Sequence, residues 1–186
     1  MSAIRRALIL ARGLGRRMRE AVPGIALDAT QAAAADAGMK AMIPFGRPFL
    51  DFVLHALADA GVTEIALVLG PEHEEVRTYY RRLRTRRVGI AFVEQAQPLG
   101  TGDAVLSARD WAGSGSFLVL NADNLYPVHV LERLVAGTHP AVPGFERDSL
   151  GLPLERIGTF ALLERDRDGS LRRIHEKPGT AAVRDA

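Results

Sequence analysis

Residues 8 to 20 read LILARGLGRRMRE, an apolar run that breaks into two glycines and four arginines. With its flank, residues 4 to 11, the run suits a strand buried on both faces, the kind found inside a parallel sheet. Ligands of such sheets collect at the carboxyl ends of the strands, so the loop that follows is a natural binding position. Gly13 and Gly15 would let backbone N–H groups approach an anion, and Arg16, Arg17 and Arg19 add charge and forked donors that match phosphate oxygens. A second reading of the same residues is a tight turn leading into a solvated basic helix end.

The pattern recurs along the chain. EIALVLG (64–70), VGIAFVEQ (88–95) and SFLVLNAD (116–123) are further short apolar runs. Between them lie helical patterns: PFLDFVLHALADAG (48–61), with proline at its front and glycine at its back, then EHEEVRTYYRRLR (72–84) and GDAVLSARDW (102–111). Strand alternating with helix predicts an α/β fold, a mostly parallel sheet covered by helices. After about residue 140 the rhythm changes. RIGTFALLERDRDGSLRRIHEKP (156–178) predicts two antiparallel strands, with Asp168 and Gly169 in the turn. The alanine-rich stretch 29–38 reads equally as a short helix or a flexible lid.

Composition narrows the function classes. A chain of 186 residues, 47% hydrophobic, suits one domain over residues 1–186 with a sizeable core. No apolar run approaches the ~20 residues that span a bilayer, and the N-terminal apolar stretch is too short for a signal peptide. A soluble cytoplasmic protein that binds no membrane is the expectation. The chain has no cysteine, which excludes disulfides, thiolate zinc sites and cysteine nucleophiles. Any metal must use oxygen or nitrogen ligands. The net charge of +2 and a scattered 6% of aromatics give no basic, stacking surface for nucleic acid. Of 24 basic residues only Lys40 and Lys177 are lysine. In a chain that otherwise uses arginine, a compact ammonium marks positions a flat guanidinium cannot serve.

Two familiar glycine-rich signatures are absent. A dinucleotide fingerprint would need glycine where Met18 stands, and there is no G-K-[ST] phosphate loop. Five segments, LILARGLGRRM, KAMIPFGRPFLDFVLHALADAGV, QAQPLGTGDAVLSA, VLNADNLY and EKP, in this order between Leu8 and Pro178, instead resemble the sugar nucleotidyltransferases, or nucleotide-sugar pyrophosphorylases. The resemblance implies a three-layer Rossmann-like fold with helices on both faces of the sheet and a small antiparallel β element near the C-terminus. It also implies a reaction in which the phosphate of a sugar 1-phosphate attacks the α-phosphorus of a nucleoside triphosphate and pyrophosphate leaves, assisted by Mg²⁺. Such chemistry is mainly positioning and charge neutralisation.

By that resemblance Gly13 and Gly15 would hold the triphosphate, and Arg17 would neutralise charge on the departing pyrophosphate. Lys40 would sit between the two phosphates. Gln95 would read the nucleobase edge while Gly100 lets the base lie against the backbone. Asp123 would bind the metal, Glu176 the sugar hydroxyls and Lys177 the sugar phosphate. The residues alone leave other readings open: a surface salt bridge for Lys40, a solvated strand cap for Gln95, a turn cap for Asp123, and an exposed ion pair for Glu176 and Lys177. Thr101 reads as a helix N-cap, Tyr79 and Tyr80 as packing residues, and His55 as structural. His73 and His175 lack the spacing of metal ligands.

Three features depart from the family pattern. Arg12 stands where the family shows glycine, the segment between Arg17 and Lys40 is longer than usual, and the chain stops at Ala186 where family members continue, so a C-terminal part is expected to be missing. Two other functions fit the glycine-rich start: nucleotidyl transfer to a non-sugar phosphate acceptor, and non-catalytic binding of a nucleotide or nucleotide-sugar. The base, the sugar and whether the protein is a homo-oligomer are not legible.

Overall fold

The computed structural model describes residues 3–13 and 40–185. Gly15, Arg17, the 29–38 stretch and the side chain of Lys40 lie outside the described set. The chain divides into two compact units, Met1–Ala141 and Val142–Ala186.

The first unit runs β1 (Arg6–Leu10), a 3₁₀ turn (Lys40–Met42), α1 (Phe49–Asp59), β2 (Glu64–Leu69), α2 (Glu74–Arg82), β3 (Gly89–Glu94), α3 (Thr101–Ser107), α4 (Arg109–Ala112), β4 (Leu118–Asn121) and α5 (Val128–Val135). Its four strands pair in parallel in the order β3-β2-β1-β4. Side chains alternate between the two faces of a strand. Ala7 and Ile9 of β1, Ile65, Leu67 and Leu69 of β2, and Leu118 and Leu120 of β4 therefore share one core with α1, α2 and α5, which contribute Leu50, Val53, Leu57, Val76, Leu131 and Val135. Leu8, Ala66 and Val68 point the other way, onto Ala104 and Ala108 at α3. Covering both faces explains why β1 and β2 read as unbroken apolar runs.

Helix α1 starts behind Pro48 and ends at Ala60. Gly61, at φ 93°, then turns the chain toward β2. Asp51 ties α2 to α1 by accepting hydrogen bonds from the hydroxyls of Tyr79 (2.9 Å) and Tyr80 (2.8 Å). Burial and the Asp51 carboxylate push the Tyr80 pKa up, so its hydroxyl stays a neutral donor. Gly100, not Thr101, occupies the N-cap of α3, and Thr101 is the first helical residue. His55 is exposed on α1.

The second unit contains a 3₁₀ turn (Arg147–Leu150), α6 (Leu154–Ile157), β5 (Ala161–Arg165), β6 (Leu171–Glu176) and α7 (Gly179–Asp185). The strands form the expected antiparallel hairpin. Asp168 Oδ1 accepts the Ser170 N–H at 2.9 Å and Gly169 takes φ 87°. A Cβ on Gly158 would lie 2.9 Å from the Gly179 carbonyl carbon, so α6 meets the start of α7 through bare backbone. Among the described residues no helix is long and apolar enough to cross a membrane.

Candidate active site

The strand order sets the position of the site. From β1 the chain passes to β2 and β3 on one side, then returns to place β4 on the other, so the order reverses between β1 and β4. Open parallel sheets bind ligands in the crevice at such a reversal, outside the carboxyl ends of the strands. The Ala122 N–H donates to the Leu10 carbonyl at 3.1 Å, which carries the β1–β4 ladder past the last strand residue. Asp123, next in the chain, is exposed at this end of the sheet. Gly13, three residues beyond β1, is also exposed, and a Cβ there would meet nothing within 4 Å among the described residues. The ends of two neighbouring strands thus bring Gly13 and Asp123 to one edge of the first unit.

Arg12 does not turn toward that edge. Its guanidinium donates to the Gln95 carbonyl beyond β3 and pairs with Glu72 at 3.3 Å. One side chain therefore links the ends of β1 and β3 to the loop after β2. The pair occupies the space a side chain at residue 70 would need: a Cβ on Gly70 would collide with the Glu72 carboxylate and the Arg12 guanidinium. Backbone hydrogen bonding and the Arg12 guanidinium hold the Glu72 carboxyl below its usual range.

Beneath this link is a buried polar knot. Gly70 donates its N–H to His73 Nδ1 at 3.0 Å, and its carbonyl accepts from Arg77 at 2.8 Å. Arg77 also reaches Glu94 at 3.5 Å. Since Nδ1 accepts, the His73 ring is neutral with its proton on Nε2. Desolvation pulls the His73 pKa below 6.5, with Arg12 and Arg77 pushing the same way against Glu72. His73, Arg77 and Gln95, the buried polar side chains among the described residues, thus stiffen the carboxyl ends of β2 and β3.

Gln95 is buried rather than a solvated cap, 3% exposed. Its backbone N–H continues the ladder to Leu69 at 2.9 Å. Its side-chain nitrogen donates to the Gly100 carbonyl (3.0 Å) and to Asp103 Oδ2 (2.7 Å). Gly100 has φ 102°, which a side chain would strain, and its Cβ direction is open among the described residues. Lys40 opens the 3₁₀ turn Lys40–Met42, anchored by buried Ala41 and Ile43.

In the second unit, Glu176 ends β6 and Lys177 follows it, both exposed. Lys177 has φ 47°, the left-handed region, and is the sole non-glycine residue to do so among those described. It precedes Pro178, and its N–H donates to the Phe160 carbonyl at 3.0 Å. A lysine held in a costly backbone conformation is the kind of strain that accompanies function.

Sequence reasoning did not identify Asp103, His73 or Arg77 as parts of this region, and flagged Arg12 only as a departure. The signal for Arg12 was available: a large cation directly behind a strand buried on both faces must leave the strand end sideways. Nothing in the spacing of Asp103 or His73 distinguishes them from ordinary helix-start residues.

Comparison with known proteins agrees with this fold. The family described as nucleotidyl transferase matches residues 35–185. Glucose-1-phosphate thymidylyltransferase of Streptomyces antibioticus is 29% identical over 93% of this chain and 45% of its own length. The bifunctional protein GlmU of Trichlorobacter lovleyi is 32% identical over 94% of this chain and 34% of its own. A nucleotidyltransferase of low-salt glycan biosynthesis, Agl11 of Haloferax volcanii, is 28% identical over 76% and 39%. The chain thus spans less than half the length of these relatives. Among solved structures, a UDP-glucose pyrophosphorylase complexed with UDP-glucose superposes with TM-score 0.67 at 19% identity, covering 96% of this chain and 70% of that one. A UTP-bound UGPase from Acinetobacter baumannii gives 0.64 at 20%, with 96% and 70% covered.

Proposed function

From the premise that this chain belongs to the nucleotidyl transferase family, we propose that the protein transfers a nucleotidyl group from a nucleoside triphosphate to a sugar 1-phosphate. A phosphate oxygen of the sugar 1-phosphate bonds to the α-phosphorus, the bond from that phosphorus to the bridging oxygen breaks, and pyrophosphate carries away the electron pair. The reading makes the protein a cytoplasmic enzyme of nucleotide-sugar biosynthesis.

The observation that supports it is that β1 and β4 are parallel neighbours, with Ala122 bonded to Leu10, so that Gly13 and Asp123 both follow the carboxyl ends of adjacent strands at the reversal of strand order. Backbone N–H groups at Gly13 and Gly15 bind the triphosphate, with Arg17 and Lys40 countering its charge. Lys40, as a compact ammonium, follows negative charge as it shifts from the attacking oxygen to the leaving one. Mg²⁺ keeps several waters and takes one or two carboxylates plus substrate phosphates, so the single exposed carboxylate of Asp123 fits its needs. When bound, Mg²⁺ supplies charge neutralisation on the phosphate oxygens. Glu176 and Lys177 engage the sugar hydroxyls and sugar phosphate.

The test is pyrophosphate release by the full-length protein, assayed with each nucleoside triphosphate and a panel of sugar 1-phosphates. Release that requires nucleotide, sugar 1-phosphate and divalent cation together, and that falls at least a hundredfold in Asp123→Asn, is expected. Nucleotide binding with no pyrophosphate from any acceptor would leave a nucleotide-binding protein instead. Release with alcohol phosphates but no sugar would give the acceptor to another class.

A further inference from the structure

The Gln95 amide can face only one way. Both groups opposite its nitrogen, the Gly100 carbonyl at 3.0 Å and the Asp103 carboxylate at 2.7 Å, are acceptors and nothing else. Turning the amide over would set its oxygen against two other oxygens. The two N–H donors are thereby spent, and Oε1, an acceptor with two lone pairs, has no hydrogen-bond partner among the described residues. The rest of the residue is pinned as well: its N–H is bonded to Leu69 and its carbonyl accepts from Arg12. Beside it the Cβ side of Gly100 is open among the described residues, so a flat group laid on that glycine would offer its edge to Gln95.

We propose that Asp103 is a positioning residue that sets which nucleobases this protein accepts. By taking one amide proton of Gln95, it obliges Gln95 to present an oxygen. An oxygen pairs with a base whose ring edge carries an N–H beside a carbonyl, as in uracil, thymine or guanine. It faces the ring nitrogen of cytosine and adenine acceptor to acceptor, and their exocyclic amino group reaches the oxygen only if the base shifts from the position that uracil, thymine or guanine takes. The inference rests on the reading above, in which Gln95 meets the base, and adds to it the class of base and the residue that imposes it.

The experiment is equilibrium binding of UTP, dTTP, GTP, CTP and ATP to the full-length protein by calorimetry, with kcat/KM for those transferred. It is repeated on Asp103→Asn, Asp103→Ala and Asp103→Glu, each first checked for an unchanged thermal midpoint. The expected result is at least tenfold preference of the native protein for one or more of UTP, dTTP and GTP over both CTP and ATP. The preference should shrink below about threefold in Asp103→Asn, whose own amide can offer nitrogen or oxygen, and return in part with Asp103→Glu. Loss of folding alone would weaken all five nucleotides together and leave the ratio unmoved. Preference for CTP or ATP in the native protein, or a ratio unchanged in folded Asp103→Asn and Asp103→Ala, would overturn the inference. Discriminating binding without pyrophosphate release would sink the transferase reading and keep this one. Transfer without base discrimination would do the reverse, and no binding of any nucleotide would end both.

Discussion

His73 is where a single titration reads out the polar knot behind β2. Its buried neutral ring accepts the Gly70 N–H, and protonation at Nδ1 would break that bond. The unfolded ring, at its ordinary value near 6.5, takes up a proton at pH values where the native ring does not. The unfolded state then binds more protons, so stability is full above about pH 6.5 and declines as pH falls below it. Glu72, Glu164 and Asp168, whose carboxyls are held below 4.5, 4.5 and 3.8, act in a lower range. Urea unfolding at about pH 7.5 and 5.5 should show the loss in the native protein, and His73→Asn, which keeps an acceptor but cannot titrate, should flatten it. An equal slope in the variant would assign the titration elsewhere. At Lys177 function and stability are expected to oppose each other. Glycine adopts φ 47° without the ~1 kcal/mol cost borne by a side chain. Lys177→Gly should therefore hold or raise the thermal midpoint while raising the KM for sugar 1-phosphate at least tenfold. A midpoint that falls would show that the lysine is structural.

At the scale of elements, α1 shows how local pattern and packing agree. Pro48 and Gly61 bound it, and Leu50, Val53, Leu54 and Leu57, at helical spacing, enter the core. Leu57 is fully buried in the cluster that joins α1 to β1 and β2. Leu57→Ala should cost about 2–5 kcal/mol, read as a lowered urea midpoint with unchanged slope. A cost under about 1 kcal/mol would mean that the sheet face can collapse around the loss. The strands, α1, α2 and the hairpin turn at Asp168 were legible because burial on two faces, helical spacing and turn chemistry each leave a local mark. The cap of α3 was misassigned to Thr101 because glycine and threonine both suit that position, and the φ of 102° that selects Gly100 is visible only in the fold.

Across the whole molecule, the two apolar cores both belong to Met1–Ala141. In Val142–Ala186 the buried apolar side chains among the described residues are Ile157 and Val183. A unit that small with so little buried surface lacks the means to fold alone. Residues 1–141 should unfold cooperatively in urea as an isolated chain, while 142–186 in isolation should show no cooperative transition. A cooperative transition in the shorter piece would require a core this structure does not contain. Strand polarity and order also belong to this scale, since they carry Gly13 and Asp123, more than a hundred positions apart, to one edge of the sheet.

The sequence by itself determined the α/β class, the strand and helix segments and the five ordered motifs, since these follow from short-range hydrophobic period, helix and turn residues. The tertiary structure alone decided that Arg12 reaches sideways to Gln95 and Glu72, that His73 and Arg77 close on Gly70, and that Asp103 claims one face of the Gln95 amide. A hydrogen bond depends on where its partner's atoms stand in space: Arg12 meets groups 60 and 83 positions away, and the nearer pairs, three to eight residues apart, depend on loop geometry that no hydrophobic period encodes.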